Sequence, residues 1–428
     1  MSEIGSNFVS NYPPYAVWSG VALPAAQQAL HRPAPEGTPL GVYAHVPFCR
    51  KRCRFCYFKV TTDAPGAEVR ETVEALVAEA ELYAQAPRVQ GRQAGFVYIG
   101  GGTPSYLSSE RITRLLTGLR GAIPWAPGAE VTFECEPGTL RAPKVEALRE
   151  LGVTRLSLGV ESFDDAVLER NGRAHRADDV RRALDMVAAA GFPQLNLDLI
   201  AGLPGETDAS WRAALAATVA AAPSSVTIYP IEVPPNTAYA HQLRAGEDPG
   251  VPGWPARRAR HAEAIAHLQA AGYRTSSAYT LVRGGDVRFV YRDALWTGAE
   301  LLPLGVSAFG TLGGVHIQNH KDLATWREAV LSGQLAWQRG WALTDDEALT
   351  RQFILQLKLG QVPFAPFRER FGVDPLQRFA APLHAMVRAG QATLTQDAVT
   401  LSHEALLQVD SLLPMFYDTR FPGARDAA

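Results

Sequence analysis

Through residue 231 the chain repeats short runs rich in β-branched and aromatic residues: GVYAHV (41–46), GFVYIGG (95–101), EVTFECEP (130–137), RLSLGV (155–160), LNLDLI (195–200) and SSVTIYPI (224–231). Runs of this length and content predict strands. Between them, apolar positions recur with helical spacing at 68–84, 109–120, 142–150, 177–190 and 209–222. Ser108-Ser109-Glu110 is a helix start, and Gly152, Gly191 and Pro223 are helix stops. Alternating strand and helix predict a parallel sheet with right-handed crossovers, and six repeats predict an open or partial (β/α)6 barrel. Sheets of this kind carry their chemistry at the carboxyl ends of the strands.

The pattern changes near residue 344. DDEALTRQFILQLKLG, PFAPFRERFG, PLQRFAAPLHAMVRAG and ALLQVDSLLPMFY have helical periods, and ATLTQDAVTLS (392–402) reads as a β-hairpin around Gln396-Asp397. The chain therefore divides into an N-terminal extension over the active site (1–40), the barrel (41–285), a segment crossing back over the barrel mouth (286–343) and a mostly helical, winged-helix-like domain (344–428). A helix and strand within 232–285 are expected to extend the sheet. Without a basic face, the last domain is expected to act as a lid over a substrate pocket and not as a DNA-binding module.

Composition narrows the class. Of 428 residues, 47% are hydrophobic and 20% charged, with a net charge of −2, as in a globular protein with a sizeable core. The near balance of charge gives no case for nucleic acid, and the basic run Arg50-Lys51-Arg52-Cys53-Arg54 is local. The alanine-rich stretch 213–222 falls short of the ~20 apolar residues of a membrane span. The N-terminus lacks a basic segment followed by an apolar run, so a cytoplasmic location is expected. Four cysteines cannot staple a chain of this size, and in a reducing compartment clustered thiols indicate metal or redox chemistry.

The motifs fall at strand ends. Cys49, Cys53 and Cys56 follow the first strand as C-x3-C-x2-C, and GGGTPSY (100–106) follows the second. Glu134 and Glu136 end the third strand, Gly159-Val160-Glu161 the fourth, and Asp198 the fifth. A structural zinc wants a second pair of ligands that the stretch lacks. An iron–sulfur cube held by three thiolates would leave one iron open to a ligand. Each residue also has a structural reading. Thr103-Pro104 fits a tight turn, His45 a core histidine, Cys135 a buried apolar residue, and Arg173 with Asp198 a salt bridge. The aromatic residues of 273–296 fit a core.

Together these stretches resemble the radical S-adenosylmethionine (SAM) superfamily. Y-x-H-x-P-F-C (43–49), GGGTPSYL (100–107), RLSLGVESFDDAVLERNGR (155–173), NLDLIAGLPGET (196–207), LLPLGVSAFGTLGGVHIQN (301–319) and RGWALTDDEALTRQFILQLKLG (339–360) are similar to the oxygen-independent coproporphyrinogen III oxidase (HemN)-like family. That family includes class C radical SAM methyltransferases, anaerobic heme-degrading enzymes and heme chaperone-like proteins. The resemblance covers about residues 40–420.

It implies a radical SAM barrel with a [4Fe–4S] cluster on Cys49, Cys53 and Cys56. SAM on the open iron, one molecule or two in all, would be cleaved to a 5′-deoxyadenosyl radical. Gly101, Gly102 and Thr103 would meet the SAM amino group, and Glu134, Glu161, Arg173 and Asp198 would surround SAM. Tyr43 and His45 would stand beside the cluster as catalytic residues. Gly305, Val306, Ser307, Ala308 and Phe309 would form a loop for a second SAM or for substrate. An electron donor of flavodoxin or ferredoxin type would reduce the cluster.

Departures from the family steer the reaction type. Phe58 replaces a further cysteine of the coproporphyrinogen enzymes, Glu161 replaces their usual glutamine, and SNFVSNYPPYAVWS (6–19) lacks the arginine of their N-terminal segment. A substrate with several propionates wants cationic partners. The reading is therefore methyl or methylene transfer (C-methylation or cyclopropanation) to an sp2 carbon of a small specialised metabolite. Coproporphyrinogen III decarboxylation and heme binding are the alternatives.

Overall fold

The computed structural model describes Gly5 and residues 8–421. The outermost residues of the N-terminal extension and of the last domain lie outside the described residues. Six parallel strands follow one another across the sheet: β1 (Leu40–Val46), β2 (Ala94–Gly101), β3 (Trp125–Cys135), β4 (Arg155–Glu161), β5 (Gln194–Ala201) and β6 (Ser225–Pro230). The helices between them start and stop on the sequence signals. Ser108 accepts the Arg111 amide at 3.3 Å, and Gly191 ends its helix in the left-handed region at φ 64°.

Side chains alternate across each strand, and this sorts core from lumen. Val42, Ala44, Val97, Ile99, Phe133, Leu156, Leu197 and Ile228 join one hydrophobic cluster with the outer helices. The opposite set carries polar and aromatic groups in register: Tyr43 beside Tyr98, Tyr98 beside Thr132, Glu134 beside Ser157, and Asp198 beside Thr227. The barrel thus has an apolar outside and a functional inside.

Both edges are extended. β6 pairs antiparallel with β8 (Thr280–Val282), which pairs with β7 (Arg274–Thr275). On the other edge β9 (Glu300–Leu304) runs parallel to β1, followed by antiparallel β10 (Phe309–Leu312), β11 (Val315–Asn319) and β12 (Trp337–Ala342). This corrects the expectation that 286–343 crosses back over the mouth. Strands β9 to β12 find backbone partners beside β1, which satisfies their amides in the sheet.

The last domain packs three short strands, β13 (Gln361–Pro363), β14 (Ala392–Leu394) and β15 (Ala398–Leu401), with helices around Phe353, Phe379 and Phe416. Its core reaches into the barrel and the N-terminal segment through Tyr279, Trp296 and Tyr12. A buried ion pair joins all three. Lys358 Nζ lies 2.9 Å from Asp410, donates to Val9 O at 2.9 Å and sits 3.4 Å over the Phe8 ring. Asp410 also accepts the Val9 amide at 2.6 Å and the Tyr279 hydroxyl. Removing one member strands a buried charge, a loss of about 3–5 kcal/mol. Asp410→Ala should therefore lower unfolding stability by about that amount in denaturant titration, and adding Lys358→Met should recover part of it.

Candidate functional site

The cysteine loop leaves β1 and is pinned from several sides. The Cys49 amide donates to Thr61 O at 3.1 Å, Thr61 returns to Pro47 O at 2.6 Å, and the Arg54 amide donates to Asn171 O at 3.0 Å. All three cysteines are free and half-buried. Burial pushes the Cys56 thiol up to about 12, and Cys49 is also raised by burial. Thr103 Oγ1 donates to Cys49 Sγ at 3.2 Å, and Arg173 donates to Cys53 Sγ at 3.3 Å. Thiolates receive such donors more readily than thiols do.

The neighbouring turn is built from glycine. Gly101 has φ +111°, and a Cβ there would fall 2.6 Å from His45 Nδ1; at Gly102 it would fall 2.9 Å from Phe48 O. The amides of Gly102 and Thr103 donate to Val46 O and Phe48 O, both at 2.8 Å, which locks the turn to the cysteine loop. The Gly101 amide donates to Glu134 at 3.1 Å, and Tyr98 donates its hydroxyl proton to the same carboxylate at 2.6 Å. Burial raises Glu134 to about 7 despite these donors.

Beyond it, Asp198 accepts from Ser157 at 2.7 Å and Asn196 at 2.9 Å, and burial raises it too. Arg173 donates to Gly159 O at 2.6 Å and lies 3.7 Å from Glu161. The salt bridge between Arg173 and Asp198 that the sequence allowed is therefore not formed. Glu136 pairs with Arg50 at 2.9 Å and His175 at 3.1 Å; burial alone would raise its pKa, but His175, Arg173 and Arg50 outweigh burial and bring it to about 2.

These groups line one cavity of about 340 Å³. Cys49, Cys53, Cys56, Gly101, Gly102, Thr103, Glu134, Glu161, Arg173 and Asp198 all belong to its wall. Tyr43 and His45 do not line it. His45 Nε2 lies 3.0 Å from Lys59 O and so donates to it, and Nδ1 accepts the Tyr43 hydroxyl at 3.1 Å. Burial lowers His45 to about 4, so the ring is neutral and staples the cysteine loop to β1. Tyr43 and His45, expected beside the cluster as catalytic residues, thus spend these polar atoms on each other and on the cysteine loop, outside the cavity wall.

The loop after β9 also stays out of the wall. Val306 and Ala308 are buried in the core, and Phe309 packs 4.5 Å from Tyr15 and 5.7 Å from Trp18. Sequence reasoning missed the far end of the cavity, formed by Phe8, Tyr229, Glu232 and Tyr279. Glu232 follows the end of β6 at Pro230, so the strand-end rule applied once more would have found it. Burial raises Glu232 to about 7.

Among the described residues no group of three or more His, Cys, Asp or Glu converges on the position of a single ion. A half-buried thiol triad whose sulfurs receive separate donors suits a cluster in which each thiolate takes its own iron. Fold and site define a radical SAM protein. The radical SAM superfamily model matches residues 43–217. The heme chaperone HemW of Mycobacterium tuberculosis (strain ATCC 25618 / H37Rv) is 33% identical over 375 residues, 85% of this chain and 94% of that protein. The oxygen-independent coproporphyrinogen III oxidase of Escherichia coli (strain K12) is 29% identical over 383 residues, 87% of this chain and 82% of the enzyme. The solved coproporphyrinogen III oxidase (HemN) from Escherichia coli, a radical SAM enzyme, superposes with a TM-score of 0.84 at 26% identity, covering 98% of this chain and all of that one.

The chain belongs to the HemN-like family of radical SAM proteins, which uses a [4Fe–4S] cluster and SAM. No helix among the described residues is long and apolar enough to cross a membrane. His45→Phe fills the same space without the bond to Lys59 O. The variant should retain less iron after anaerobic reconstitution while losing only about 1–3 kcal/mol of stability, as iron assay and thermal unfolding would report.

Proposed function

We propose that this radical SAM enzyme transfers a methyl or methylene group from a second SAM to an sp2 carbon of a small specialised metabolite. Cys49, Cys53 and Cys56 hold the cluster, and bound there with SAM it supplies the 5′-deoxyadenosyl radical. Carbonyls of the Gly101–Thr103 turn accept from the SAM ammonium, which has only donors to offer, while the amides of the turn fix its shape through Glu134, Val46 O and Phe48 O. Arg173 presents a buried Nε with no partner, suited to a carboxylate. Glu134, Glu161 and Asp198 offer acceptors to the remaining amino and hydroxyl groups.

The observation that carries the reading is the charge of the cavity's two ends. Its cationic lining residues, Arg50, Lys51, Arg52 and Arg173, all lie in the cysteine loop or against it. The far end offers Glu232 and aromatic faces, with Phe8 and Tyr279 5.4 Å apart and Tyr229 and Tyr279 stacked at 5.7 Å. Lys358 takes a face of Phe8, and the Glu232 carboxyl and the Tyr229 face beside it suit a sulfonium cation better than a propionate. The N-terminal segment closes this end, with the Phe8 amide donating to Glu232.

A second reading, oxidative decarboxylation of coproporphyrinogen III, draws on the whole-chain likeness to the Escherichia coli oxidase and on the basic rim of the cysteine loop. The same exposed rim, Lys51, Arg52 and Arg54, suits an acidic electron donor of flavodoxin or ferredoxin type.

The reduced, reconstituted protein should be given SAM deuterated in its methyl group, and the 5′-deoxyadenosine followed by mass spectrometry. Deuterium in that product supports abstraction from a second SAM. Unlabelled product, with vinyl groups formed from added coproporphyrinogen III, overturns the reading in favour of decarboxylation.

A further inference from the structure

At the end of β4 the pairing with β5 shifts between Gly159 and Glu161, and Glu161 adopts φ 63°. A non-glycine residue held there is strained and persists only where its surroundings impose it. Bulges beside functional sites re-aim side chains. Here the Glu161 carboxylate comes 3.7 Å from the Arg173 guanidinium, with the two side chains only 13% and 12% exposed.

The same guanidinium donates to Cys53 Sγ at 3.3 Å and to Gly159 O at 2.6 Å. One buried cation is thus held between a carboxylate and a cluster thiolate. Other acids nearby are already occupied. Glu136 is paired with Arg50 and His175, and Asp198 with Ser157 and Asn196. Among the described residues Glu161 is the carboxylate within ion-pair reach of Arg173.

We propose that Glu161, acting through Arg173, is a positioning residue that sets the reduction potential of the cluster. Reduction adds one electron to the cluster, and a cation donating to a ligand sulfur stabilises that added charge. A carboxylate beside the cation offsets part of its effect, and burial keeps the interaction from being screened. Glu161 therefore holds the potential lower than a neutral glutamine would, and Arg173 holds it higher than an uncharged side chain would. The inference concerns the cluster alone and is independent of what the radical attacks.

The test is an EPR-monitored redox titration of reconstituted protein without SAM, so that contacts of Glu161 with SAM do not enter. It is run at about pH 9, where Glu161, raised to about 7 by burial, is ionised. Glu161→Gln should raise the midpoint potential, Arg173→Met should lower it, and Glu161→Asp should stay near the parent. In the Arg173→Met background the Glu161→Gln shift should shrink to less than half. An unchanged or lowered potential in Glu161→Gln, or an equal shift with and without Arg173, overturns the proposal. If Glu161→Gln fails to hold the cluster, Glu161→Asn is measured in its place. A raised potential in Glu161→Asn supports the proposal, and an unchanged or lowered one overturns it.

Discussion

The site depends on one constraint, the period-two alternation of six parallel strands whose carboxyl ends open on the same side. Because successive side chains point to opposite faces, Val42 and Ala44 can bind the outer helices while Tyr43 and His45 serve the inner face of the same strand. Shifting β1 by one residue would turn His45 away from Lys59 O and release the cysteine loop. The catalytic apparatus is in this sense a consequence of strand register, and the register is enforced by the apolar face packed against the helices.

The second organising feature is burial of charge. The lumen holds more carboxyl groups than a cavity of its size can comfortably ionise, and burial raises Glu134, Glu161 and Glu232 each to about 7. Cations enter where thiolates need them: Arg173 at Cys53, and Arg50 beside the same loop against Glu136. This segregation gives the cavity a cationic, sulfur-rich end and an acidic, aromatic end, and two differently charged ligand portions can be ordered along it. The Lys358–Asp410 pair then ties the aromatic end to the last domain and to Val9, so the wall around Phe8 is assembled from three distant parts of the chain.

Much of this was legible in the sequence, for identifiable reasons. β1 to β6 and their helices declare themselves through β-branched runs and strong caps. The cysteines, the glycine turn, Glu134, Glu161 and Asp198 lie at or near strand ends where the topology gathers them, while Arg173 reaches them from the turn after the short helix Asp165–Arg170. Less legible were the roles of Tyr43 and His45, since a strand pattern cannot say whether a polar atom meets a ligand or a carbonyl such as Lys59 O. The path of 286–343 was hidden because β9 pairs with β1, some 260 residues earlier in the chain, as the Leu40–Glu300 register shows. Val306, Ala308 and the far wall of the cavity likewise depend on long-range packing that local periodicity does not encode.

The central claim is that three thiols and the adjoining cavity hold a cluster with one iron open to SAM. The most direct measurement is the EPR spectrum of the anaerobically reconstituted, dithionite-reduced protein, recorded before and after SAM is added. The account predicts a reduced [4Fe–4S] signal whose line shape changes on SAM addition and which is lost in Cys53→Ala. A cluster signal that SAM leaves unaltered, or one that survives in Cys53→Ala, would contradict it.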